Sequence, residues 1–76
     1  MRKELLDLKK EMVTRGVDRS TYAIDTLPLY EGFCIYDARS IIEVFYFERG
    51  HRFELQSFED VQEAIKYFKG MVFNEK

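Results

Sequence analysis

Residues 43–57, EVFYFERGHRFELQS, hold the pattern that decides the fold. Two apolar-rich runs flank Arg49-Gly50, a pair suited to a two-residue hairpin turn because glycine takes positive φ without steric cost. That turn pairs Tyr46 with Phe53 and Val44 with Leu55. The first run is apolar on both of its rows, however: Val44 and Tyr46 point one way, Phe45 and Phe47 the other. A strand with one wet face shows a single apolar row, so both sides of this strand call for cover.

Working upstream, GFCIYD (32–37) reads as a second strand and DARS (37–40) as a turn by composition. With Ala38-Arg39 at the tip, Ile35 faces Ile42 and Phe33 faces Val44. One side of the sheet then collects Phe33, Ile35, Ile42, Val44, Tyr46, Phe53 and Leu55. A one-residue slip would mix these with charges, so the register is strongly specified. TYAID (21–25) is short enough for an edge strand. In TLPLYEG (26–32), Pro28 excludes a central strand and Gly32 marks a turn.

Helical periodicity flanks the strands. Leu5, Leu8 and Met12, widened by Leu6 and Val13, make an apolar stripe over residues 2–15 that Arg15-Gly16 terminates. SFED (57–60) reads as a capping box in which Ser57 and Asp60 satisfy each other's backbone. Val61, Ala64, Ile65, Phe68, Met71 and Val72 follow at helical spacing, the helix ending at residue 69 or 73 according to whether Gly70 stops it. The expected architecture is an α+β two-layer sandwich, α-β-β-β-β-α. A three- to four-stranded antiparallel meander carries both helices on its Phe33/Val44/Leu55 side.

Seventy-six residues make one domain. Residues 1–16 carry five basic and three acidic side chains, a net of +2; residues 17–76 carry seven basic and eleven acidic, a net of −4. That balance disfavours nucleic acid, which selects a basic stripe, and it is compatible with a basic protein partner. Cys34 is the single cysteine, so the chain forms no internal disulfide, and a cytoplasmic location is expected. MRKELLDLKKEM has charges throughout, unlike a signal peptide, and no apolar run approaches the length of a membrane span.

The second sheet face collects Cys34, Tyr36, Ile41, Glu43, Phe45, Phe47, Arg52, Glu54 and Gln56. Aromatic and aliphatic groups sit inside a charged rim, the composition of a protein interface. Tyr36, Ile41, Glu43, Phe45, Phe47, Arg52 and Glu54 are the candidate partner-binding residues. Two other accounts stay open: the Arg52 stem lying over Phe47, or a helix of the chain packing on this face.

Catalytic constellations are sparse. His51, one residue past the turn, faces Glu48 as a surface pair. Cys34 has no histidine beside it, and one His with one Cys does not make a metal site. Glu43 and Glu54 on neighbouring strands resemble a glycosidase pair only in type, since Arg52 shares their rim. The glycines stand singly, so no phosphate loop forms and no cofactor is expected. Arg39, Arg49 and Arg52 with Phe45 and Phe47 are opposed as a base-stacking surface by Glu43, Glu48 and Glu54.

EVFYFERG, followed by Phe53-Glu54-Leu55 and then SFEDVQEAIKYF, resembles small bacterial immunity proteins of polymorphic-toxin systems, particularly the immunity protein 59-like group. The likeness covers about residues 43–69. It implies a non-enzymatic inhibitor that occludes a toxin domain in the cytoplasm of the producing cell, and it supplies no catalytic residues. The alternative expectation is a homodimer in which the second face pairs two copies.

Overall fold

The computed structural model describes residues 1–73. Helix α1 (Lys3–Thr14) is followed by a single 3-10 turn (Arg19–Thr21), strands β1 (Tyr22–Ile24), β2 (Glu31–Asp37), β3 (Ile42–Glu48) and β4 (His51–Phe58), and helix α2 (Val61–Val72). The four strands form one sheet in the order β1-β2-β3-β4. The chain is therefore α+β, with an antiparallel β2-β3-β4 meander as the sequence pattern predicts.

β1 departs from the meander by running parallel to β2, with Tyr22 opposite Phe33 and Ile24 opposite Ile35. Parallel neighbours ordinarily need a long crossover. Here β1 has only three residues, so the chain returns roughly 10 Å at about 3.3 Å per residue, and residues 25–30 suffice. Asp25 adopts a φ of 62° to begin that return. Its backbone NH still reaches the carbonyl of Ile35 (2.8 Å), and its carboxylate accepts from the Asp37 NH (3.2 Å). Gly32 lies within β2 and is not a turn. A Cβ there would sit 2.8 Å from the Thr21 carbonyl oxygen, so glycine permits the close approach that seats β1.

Both helices pack on one side of the sheet. Leu5, Leu8 and Met12 of α1 and Val61, Ala64, Ile65 and Phe68 of α2 bury against Ile24, Ile35, Ile42 and Val44. α1 ends in a Schellman motif: Gly16 (φ 72°) donates to Val13 O and Val17 donates to Met12 O, and Val17 then packs on the core. α2 is capped by Asp60, whose carboxylate accepts from the Gln62 NH at 2.9 Å. The expected Ser57 capping box does not form, because β4 runs on through Phe58 and places Ser57 opposite Glu43. α2 continues past Gly70 to Val72.

Both hairpin registers refine the expected ones. In β2-β3, Ile35 pairs with Val44 and Phe33 with Tyr46, two residues away from the expected partners. A shift of two preserves every side-chain face. In β3-β4, Arg49 (φ 52°) and Gly50 (φ 79°) form the turn, and Tyr46 faces Phe53 as expected. A bulge then intervenes: Glu54 takes φ 54°, and beyond it Val44 faces Gln56 instead of Leu55. Leu55 is 39% exposed and Phe53 46%, so neither joins the core; Phe58 packs there instead. Among the described residues, no helix is long and apolar enough to cross a membrane.

Candidate functional site

The outer side of the sheet is built by the row Ala23-Cys34-Phe45, which runs across β1, β2 and β3 and forms a second buried cluster of its own. Tyr36 and Phe47 pack on this row from either side and remain half-buried. The helices belong to the opposite layer, so the outer aromatic row meets neither of them.

Phe45 nevertheless has no exposed surface. Its cover comes partly from β4: the Arg52 guanidinium carbon lies 4.9 Å from the ring centroid, a cation–π arrangement. Arg52 is turned inward by Glu43, 3.6 Å away. The guanidinium thus lies over Phe45, diagonally across the ladder, while Phe47 is the direct cross-strand neighbour of Arg52. Phe45 is the floor of the face and is not itself available for contact.

The other candidates are distributed as follows. Tyr36 and Glu43 are cross-strand neighbours at one end of the face, and both are half-buried. Phe47 lies toward the other end, between Gly32 on β2 and Arg52 on β4. Ile41 belongs to the β2-β3 loop, where its carbonyl accepts from the Ala38 NH, and it is half-buried. Arg52 and Glu54 are exposed, Glu54 at the bulge. Glu43 faces Ser57 across the ladder, so the two glutamates are not paired as a catalytic dyad would be.

Residues 25–30 add a part that strand periodicity did not place on this side. Leu27, Pro28, Leu29 and Tyr30 border an open cleft of ≈ 710 Å³ whose other wall is Phe47, the Arg49-Gly50 turn and the Glu31/Glu48 pair. Leu29 is 84% exposed and Tyr30 79%. The usable signal was TLPLY itself: apolar residues at a proline, where neither helix nor central strand can bury them.

Chemically the site is quiet. Burial pushes the Cys34 thiol up to about 11 against the weaker opposing pull of Arg52, and its Sγ contacts the Gly32 carbonyl oxygen at 3.7 Å. It is a neutral, packed thiol at physiological pH. Among the described residues no three His, Cys, Asp or Glu side chains converge as a metal site requires. Comparison with protein-family models, curated proteins and solved structures finds no match to this chain.

Proposed function

We propose that this chain is a non-enzymatic protein-binding domain, and specifically an immunity protein that binds and neutralises a cognate bacterial toxin in the cytoplasm. The observation that carries the reading is the outer sheet face. Half-buried Tyr36 and Phe47 flank the buried floor, and Phe47 shares a cleft with exposed Leu29 and Tyr30, while the helices pack on the opposite side. Apolar anchors over a rigid floor, with Glu43, Arg52 and Glu54 as a charged rim, suit a protein partner better than a small molecule. The net −4 of residues 17–76 favours fast association with a basic toxin domain. The resemblance over residues 43–69 points to the same class.

The test is growth rescue. A toxin domain captured from the native host by the full chain should arrest growth when expressed alone, and co-expression of this chain should restore growth. Tyr36→Ser with Phe47→Ser should abolish rescue while circular dichroism still shows the folded chain. Undiminished rescue by that variant would remove the outer face from the interaction, and capture of no toxic polypeptide would remove the toxin reading.

A self-associating module is the second reading, favoured by β4. It is an eight-residue edge strand whose residues 51–57 are all exposed. The Glu54 bulge opposes regular edge-to-edge pairing. Sizing across a range of concentrations separates the readings, since a tight dimer with no other partner supports only this one.

A further inference from the structure

A second part of the sheet is only partly covered on the helix side. α2 reaches β4 at Phe58, where the Phe58 and Tyr67 rings lie 5.4 Å apart. Toward the other end of that face, Phe33, Tyr46 and Phe53 form one aromatic row across β2, β3 and β4. Phe33 and Tyr46 meet edge to face at 5.1 Å, and Phe53 is nearly half exposed. The next row outward places Glu31 directly opposite Glu48.

Like charges facing each other across a ladder destabilise it. Among the described residues neither glutamate has an ion-pair partner. The Tyr46 hydroxyl donates to Glu31 at 3.3 Å. Desolvation first, and then the charge of Glu31, the hydrogen bond to it and the charge of Glu48, push its phenol upward. His51, opposite Glu48, has its ring 6.5 Å from that of Phe53 and completes the border. Rings beside uncompensated carboxylates attract cations that carry an apolar stem.

We propose that this end of the sheet docks a basic segment of a protein partner, with a Lys or Arg side chain seated between Glu31 and Glu48 and an apolar neighbour covering Phe53. The seat rests on different anchors from the outer face, Phe33, Tyr46 and Phe53 in place of Tyr36 and Phe47, although Glu31 and Glu48 also line the cleft that Phe47 borders. A second copy is a poor occupant, because two-fold pairing of this patch brings one glutamate pair toward another.

The experiment is a ¹H–¹⁵N NMR titration of the full chain with a short synthetic peptide that interleaves arginine and leucine. The control peptide carries glutamate in place of arginine. Shifts should cluster on residues 31–33, 46–48 and 51–53 with the first peptide only. Glu31→Gln with Glu48→Gln should weaken binding by about tenfold, the scale of two lost exposed ion pairs. Glu4→Gln with Asp7→Asn removes the same formal charge from α1 and should leave affinity nearly unchanged. Tyr36→Ser, at the far end of the outer face, should bind like the parent chain, so failure here is distinguishable from failure of the outer-face reading. Absence of binding, or equal weakening by both charge-removing pairs, overturns the proposal. Concentration-dependent self-association that buries Phe53 would overturn it in favour of a second copy.

Discussion

The two sides of the sheet reach the same degree of burial by different means. On the helix side, Val44 has no exposed surface because two amphipathic helices lie over it. One residue later Phe45, pointing the other way, has none either, although the helices are on the far side. Small neighbours in its own row, half-buried rings on either side and an arginine turned inward by a glutamate take the place of a helix layer. A sheet face left bare by helices can therefore hold a buried ring, while its flanking aromatics stay open to contact. The floor and the binding surface are then different residues.

The sharpest way to break this comparison is to delete one large ring from each side. Phe68→Ala should cost about 3–5 kcal/mol, as removal of a fully buried phenylalanine does. Phe45→Ala should fall at the lower end of the same range, since Arg52 can collapse into part of the space. Urea unfolding of both variants measures this. A loss below about 1 kcal/mol for Phe45→Ala, typical of surface substitutions, would mean that its burial contributes nothing and that the outer face is only a wet surface.

The sequence made the identity of each face legible, but not what covers it. Alternation places Phe45 and Phe47 together, and nothing in that alternation distinguishes a ring under an arginine from one in solvent. The Tyr46-Phe53 pairing followed from the Arg49-Gly50 turn, whereas Leu55 was misplaced. The bulge rests on positive φ at Glu54, a residue that does not announce it as glycine would. Ser57 and Asp60 are both competent caps; which one serves depends on how far β4 pairs with β3, a long-range matter. The parallel direction of β1 was equally hidden, because a period of two carries no strand polarity, and Gly32 looked like a turn when its role was to admit Thr21.

Removing the arginine cover comes next in size. Arg52→Ala should destabilise the chain by about 1 kcal/mol, most of it the cation–π contact with Phe45 and the remainder the exposed Glu43 pair. Arg52→Lys keeps the charge and loses the planar stack, so it should recover less than half of that. Full recovery by lysine in urea unfolding would show that charge alone, and not coverage of the ring, is what Arg52 supplies. On the turn that aligns these residues, Arg49→Asn should stabilise by roughly 0.5–1 kcal/mol. Asparagine accepts the positive φ of this position more readily than arginine, and the gain should appear as a higher urea midpoint with an unchanged slope.

The smallest effect separates the helix layer from the outer face by pH. Asp37 is held below the usual carboxylate range, chiefly by the Arg39 backbone NH (2.8 Å) and also by Arg2, which ties the start of α1 to the end of β2. Glu11 is lowered chiefly by Lys69 (2.8 Å), which joins α1 to α2. For both groups the folded value lies below the unfolded one, so the stabilisation is complete above the unfolded pKa and disappears as pH falls through the folded one. Unfolded carboxylates titrate near pH 4, so the loss begins at about pH 5 and grows downward. These groups are partly exposed, which limits each contribution to a few tenths of a kcal/mol up to about 1 kcal/mol. Glu11 fastens the two helices to each other, and Asp37 fastens the β2-β3 turn and, through Arg2, the start of α1. Asp37→Asn should therefore flatten the acid limb of the stability curve, while the fraction of Phe45 amide protected from hydrogen exchange in the folded chain at neutral pH stays the same. If that substitution also opened Phe45 to exchange, the two sides of the sheet would be one cooperative unit, and the self-supporting outer floor would be wrong.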